Sequence, residues 1–418
     1  MGVVENLRQN AASSGAAARL REGGATAGRG VRTGLERMHD GWARLPRGAR
    51  IALTVLLVIL VYLLPLIRPP VITTQQIDFG GVMFGVAALA LVAVGLNIVI
   101  GYAGLLDLGY VGFYAIGAYT TGVLTSLHAS WPFFLALPVA VGVTMFSGLL
   151  LGWPTLRVRG DYLAIVTLGF GEIIRLAVTN LGWVGAARGI KDIPHPPNIG
   201  PDPEPPFGTG GLFNIPALQW DGLVPSLDTG RETPFLVFGA VSAVPYYWLV
   251  LSFLILILFA DRLVKDSRVG RAWEATREDE DAAELMGVPT FRFKLLAFAL
   301  GAAIGGLSGS LYASSQSGYI NPQSFPLLLS ILFVAAVFVG GAGSRWGAVV
   351  GGTLVAYLPE RFREFADWRL LVFGLALMIL PVYRPEGLVP ARRTLRARAA
   401  DKEIEHLEGR DEAPRQVV

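Results

Sequence analysis

Apolar runs of near membrane-crossing length follow one another from residue 51 to residue 383, and one long polar stretch interrupts them mid-chain. A helix needs about 20 apolar residues to span a hydrocarbon core of about 30 Å. On that measure the pattern predicts ten crossings, at residues 51–67, 79–100, 103–127, 132–152, 162–182, 236–262, 293–315, 327–342, 346–359 and 368–383. The eighth and ninth are short, and a re-entrant pair between residues 340 and 358 is the alternative reading of that stretch. The expected fold class is an all-α polytopic membrane protein with about ten transmembrane segments (8–10).

Charge orients this pattern. Nine arginines precede the first run, Arg157 and Arg159 follow the fourth, and five of residues 384–398 are arginine. Basic residues gather on the cytoplasmic side of a membrane protein, so an even number of spans puts both termini inside. Residues 181–233 then face outward, with three basic against six acidic residues and seven prolines between Pro194 and Pro206. Such a composition favours extended, solvated backbone. Residues 264–292 form an inward loop, and residues 261–294 hold seven Lys or Arg. Arg361, Arg363 and Arg369 fall in an expected outer loop and run against the scheme. The domain expectation is a disordered cytoplasmic arm at 1–50, a transmembrane domain at 51–385 and a cytoplasmic tail at 386–418.

Composition narrows the function. A chain that is 53% hydrophobic and 16% charged is too apolar for a soluble globular protein. The net charge of +3 is explained by topology, without a nucleic-acid partner. With no cysteine there is no disulfide, thiolate nucleophile or cysteine-bound metal, and His39, His128, His195 and His406 are too scattered to form a ligand set. The absence of any Gly-Lys dipeptide removes the phosphate-binding loop of an ATPase. No Ser/His pair, His-Glu-x-x-His site or paired carboxylates occur within the spans, so an enzyme is not expected.

The inward loop is more informative. Ser267 can cap a helix, residues 271–286 contain no Gly or Pro, and Gly287 followed by Pro289 stops it, so one four-turn helix is expected. Ala272, Ala275, Ala282, Ala283 and Met286 recur at helical spacing on one side, opposite Arg277, Glu278, Glu280, Asp281 and Glu284. That pattern suits a solvated connector or a helix that lies against another protein. Asp281-Ala-Ala283 followed by Gly287 resembles the Glu-Ala-Ala loop of ATP-binding-cassette import permeases, with Asp replacing Glu and without the Ile-x-Leu-Pro ending. Its flanks, Gly-Arg-Ala at 270–272, Arg-Glu-Asp-Glu at 277–280 and Lys-Leu-Leu-Ala-Phe at 294–298, resemble branched-chain amino acid permeases.

A second resemblance lies within the spans. Residues 101–119 read Gly-Tyr-Ala-Gly-Leu-Leu-Asp-Leu-Gly-Tyr-Val-Gly-Phe-Tyr-Ala-Ile-Gly-Ala-Tyr, which suits either close helix packing or a broken helix beside a path. This run is similar to the opening signature of LivM-type permeases, and residues 161–175 are similar to their second. The resemblance covers roughly residues 75–385.

The resemblance implies half of the translocation pathway of an importer. It further implies a second homologous permease subunit, two ATPase subunits that bind ATP and Mg, an extracytoplasmic substrate-binding protein, surrounding lipid and no nucleic acid. No cofactor is expected on this chain. Coupling to the ATPases falls to Glu274, Asp281, Ala282, Ala283 and Gly287. The pathway candidates are Asn97, Tyr102, Gly104, Asp107, Gly109, Tyr114, Gly117, Tyr119, Thr167, Glu172 and Arg175. Glu172 and Arg175, one turn apart, are expected to pair, because a lone charge at mid-membrane costs at least about 2.5 kcal/mol. Asp107 suits a helix cap or a pathway role. Gly301, Gly305 and Gly309 form a ladder expected to pack one span on another. The competing readings are a secondary transporter or channel, and an importer permease for urea or short amides.

Overall fold

The computed structural model describes residues 46–69, 78–127, 129–157, 161–198, 214–221, 224–234, 237–239, 242–315, 317–361, 374–375, 378 and 387–389. It divides into two compact units, Met1–Leu64 and Pro65–Val418. Most of the first helix, α1 (Arg47–Ile67), belongs to the first unit, and its Ile51, Leu56 and Leu57 side chains are exposed.

The second unit begins with α2 (Phe79–Asn97), capped by Asp78, whose carboxylate accepts from the Gly80 and Gly81 amides at 3.2 Å each. A π-helical turn, Ile98–Tyr102, continues α2 and leads into an irregular stretch. Next come α3 (Tyr110–Gly122) with its own π turn Val123–Leu127, α4 (Phe133–Thr155) and α5 (Asp161–Asn180). After the long loop follow α6 (Val244–Lys265), α7 (Arg268–Glu278), α8 (Glu280–Leu285), α9 (Thr290–Ala313), α10 (Leu327–Gly340) and α11 (Arg345–Arg361).

α2 and α9 form the centre. Neither has a polar face, and both are buried on nearly every side, as expected of helices surrounded by other helices. α4, α5 and α6 bury one side and expose Phe146, Leu150, Ile165, Ile173, Leu256 and Phe259 on the other, a surface suited to lipid.

Glycine allows the close packing at the centre. Gly117 of α3 lies directly on the Gly306 carbonyl of α9, and Gly309 on the Tyr114 carbonyl, so a Cβ at either would overlap backbone. Ser310 Oγ lies 3.2 Å from the Gly117 carbonyl oxygen and Tyr110 Oη donates to that of Gly301 at 2.7 Å. The expected ladder of Gly301, Gly305 and Gly309 thus faces α2 and α3. Without a hydrophobic drive between helices in lipid, close backbone approach supplies the attraction.

Several expectations need correction. The crossing expected at 103–127 is helical only from Tyr110 onward. Among the described residues, seven helices are long and apolar enough to cross a membrane, which supports a multi-pass chain. Nearly all of the crossing expected at 368–383, and of the terminal arm and tail, lies outside the described residues.

The fold is mostly helical rather than all-α, because β1 (Asn214–Asp221) and β2 (Val224–Pro234) form an antiparallel hairpin with an irregularity at Pro216/Ala217. Nor is the start of the loop after α5 simply solvated. Ile190 and Ile320 pair in a two-bond antiparallel bridge, and both side chains are buried together with Ile193.

Candidate functional site

The glycine-rich run produces a helix break. After the π turn, Gly104 takes φ +72°, a conformation that glycine adopts without strain, and the chain stays non-helical until α3 begins. Interior backbone amides and carbonyls at membrane depth need partners, and side chains of neighbouring helices supply them here. Thr167 Oγ1 of α5 accepts from the Leu108 amide at 3.0 Å, Ser330 Oγ of α10 donates to the Leu108 carbonyl at 2.6 Å, and Asp107 Oδ1 accepts from the Gly109 amide at 2.9 Å. Gly109 itself rests on the Thr167 carbonyl, leaving no room for a Cβ.

Two polar groups are left over. Asp107 Oδ2 and Asn97 Nδ2 are buried with no hydrogen-bond partner among the described residues, while Asn97 Oδ1 accepts from the Gly343 amide at 2.8 Å. Gly343 lies in the turn between α10 and α11.

The remaining pathway candidates spread away from the break. Tyr114 sits in an aromatic cluster with Tyr312, Phe325 and Phe333, at ring-centroid distances of 5.6, 5.8 and 5.6 Å. Tyr119 stacks obliquely on Phe325 at 5.8 Å, and its hydroxyl is another buried group without a partner among the described residues. Gly117 is occupied by packing. Glu172 and Arg175 pair as expected, through bonds of 2.9 and 2.5 Å, and are part-exposed on α5 rather than turned into the break. Asn97, Tyr102, Gly104, Asp107, Gly109 and Thr167 are therefore drawn together around the break, and the other five are not.

The loop between α6 and α9 forms two helices, not one. Ser267 caps α7 by accepting from the Val269 amide at 3.1 Å, as its sequence predicts. Asp279, however, is extended at φ −153°, ψ 110°, and its carboxylate accepts from the Ala282 amide at 2.9 Å to start α8. Asp preceding three helix-forming residues was the available cap signal. The kink also breaks up the expected apolar side: Ala272 and Ala283 turn inward, Ala282 and Met286 outward. Glu274, Asp281 and Gly287 are exposed, and Gly287 ends α8 at φ +84°. The Glu280 carboxylate pairs with Lys294, and Thr290 Oγ1 donates to Glu284 at 2.5 Å, anchoring α8 to the start of α9.

Leu285 and Trp273 at this end were missed from sequence, whereas Met286 was placed on the apolar side. Leu285 and Met286 are 88% and 85% exposed at the tip of α8, an apolar pair in a loop otherwise rich in charge. Trp273 is fully buried and donates from Nε1 to the Phe293 carbonyl at 2.7 Å. A lone tryptophan in a charged loop was the signal for it.

At the opposite end of the bundle, His195 Nδ1 and Tyr246 Oη are 2.7 Å apart, and burial holds the imidazole pKa below its usual value. Among the described residues, no cluster of His, Asp or Glu is arranged to hold a metal.

Comparison with known proteins supplies the context for this architecture. A family model described as "Branched-chain amino acid transport system / permease component" matches residues 79–381. The high-affinity branched-chain amino acid transport system permease protein LivM of Salmonella typhimurium is 38% identical over 307 residues, covering 72% of this chain and 68% of that protein. The corresponding LivH protein of Salmonella typhimurium is 28% identical over 335 residues, 74% of this chain and 95% of the relative. A probable LivM of Methanocaldococcus jannaschii is 23% identical over 348 residues, with 74% and 88% covered. No solved structure matches the chain.

Proposed function

Given that the chain belongs to the branched-chain amino acid transport permease family and is a multi-pass membrane protein, we propose that it forms half of the translocation pathway of an ATP-driven importer. A second permease of the same family completes the pathway, two separate ATPases bind ATP and Mg, and an extracytoplasmic binding protein delivers the solute. The relatives' names support leucine, isoleucine and valine as the solute class. Ten spans with both termini cytoplasmic remain the topology of choice, with the boundaries 1–50, 51–385 and 386–418 and the hairpin-bearing loop outside.

The observation that carries the ATP-driven reading is the shape of α7 and α8. α7 is pinned to the bundle by buried Trp273, whereas α8 projects exposed Leu285, Met286 and Asp281. Exposed apolar residues rimmed by charge mark a protein contact rather than a solvated connector. In this reading Asp281 meets a cation on the ATPase and Ala282 allows close approach.

Asp281→Lys tests it. The variant should insert normally yet lose leucine uptake by about tenfold or more, the effect of turning one charge pair at an interface into a repulsion. Uptake is measured in proteoliposomes holding both permeases and the ATPases, with binding protein and ATP supplied. Unchanged uptake, or uptake that the wild-type chain performs without nucleotide, would overturn the proposal.

A further inference from the structure

α7 does not merely lie beside the bundle; it holds the broken end of α2. Trp273 stacks on Tyr102 of the π turn, with 6.5 Å between ring centroids and 15° between planes. Four residues later, the Arg277 guanidinium donates to the Gly101 carbonyl of the same turn, and the Arg277 side chain lies along Gly104, whose positive φ begins the break. An arginine donor makes this a charge-assisted bond, among the stronger kinds available.

The contacts continue past the turn. Tyr102 Oη donates to Asp261 of α6 at 3.0 Å, and both groups are buried. Lys265, one turn further along α6, sits 4.6 Å from the centre of the Tyr102 ring and donates to the Gly343 carbonyl at 2.8 Å. Gly343 is thus held at both its polar backbone atoms, since Asn97 accepts from its amide. Two residues of α7 therefore connect, through one π turn, to the end of α6 and to the turn that joins α10 and α11.

We propose that Trp273, Tyr102, Arg277, Asp261 and Lys265 form a clamp that makes α7, the π turn and the α10–α11 turn move as one body, so that a displacement of α7 is delivered to the helix break. The arrangement suits that task because a π turn carries a looser hydrogen-bond ladder than α-helix and marks functional sites within helices. Packed side chains transmit a shift as a unit instead of absorbing it. The clamp rests on the importer reading and specifies where its force enters the membrane domain.

The test is Arg277→Met in the complete transporter. Arg277 is exposed, so the bundle should still assemble. ATP hydrolysis stimulated by binding protein and uptake of radiolabelled leucine are measured on the same proteoliposomes. The clamp predicts hydrolysis within about twofold of wild type and uptake reduced about tenfold, a loss of coupling and not of binding. Uptake within about twofold of wild type overturns it, as does a parallel fall of both activities, which would assign these residues to docking or stability. Should that variant fail to insert, Arg277→Ala is judged by the same outcomes. A wild-type control that moves leucine without ATP sinks the importer reading itself, whereas a coupled control beside a coupled variant sinks only the clamp.

Discussion

His195 shows how one side chain can tie a loop to a membrane bundle. It bonds Tyr246 on α6, and partial burial disfavours its charged form. The folded imidazole therefore titrates below its usual value, so the unfolded chain binds the extra proton first as the medium is acidified. Stability from this contact is complete above about pH 6.5 and is lost as pH falls through the lowered folded value. We expect the segment around Ile190 to become more open to trypsin, whose nearest sites are Arg188 and Lys191, between pH 7 and pH 5. His195→Gln should flatten that dependence; a slope that survives the substitution would place the titrating group elsewhere. Sequence could not reveal the contact, because residues 195 and 246 meet only through the fold.

At the level of elements, the hydropathy pattern located the described long helices well, since lipid imposes length and apolarity on each one separately. It was silent about departures within them. Both π turns lie in apolar or small-residue stretches that read as plain helix, and the break at 103–109 was marked only by its glycines. The hairpin was obscured by Pro216, Pro225 and Pro234, which usually argue against strands. The kink at Asp279 was legible in principle and was overridden by a long run without Gly or Pro. Asp279→Ala removes the carboxylate that starts α8 and should cost about 1 kcal/mol locally. Hydrogen exchange in residues 280–285 should accelerate about fivefold while α7 stays protected, as that free-energy change implies. Equal exchange in both proteins would show that the Glu280 pair with Lys294 suffices to hold α8.

Over the whole molecule, the sequence carried the family and the helical loop between α6 and α9, but not which candidates gather. Tyr114, Gly117 and Tyr119, pathway candidates by resemblance, lie within α3 and not in the break that precedes it. Topology is the global property most open to test. Because the chain contains no cysteine, a single one introduced at Asp192 or at Leu285 is a unique label. A membrane-impermeant maleimide added to intact cells should modify Asp192→Cys and spare Leu285→Cys until the membrane is opened. The reverse pattern would invert the fold in the membrane.

The position of α2 sets the order in which such a chain can be assembled. Its neighbours α6, α9, α10 and α11 all come later in the sequence, and Gly352 of α11 fits closely against Ala90 near its middle. While the ribosome is still making them, α2 must wait in lipid with its whole circumference unfilled, which its uniformly apolar surface permits. Seating of the innermost helix is thus among the last events of biogenesis, and premature termination before α11 would leave an inserted but open bundle for quality-control proteases.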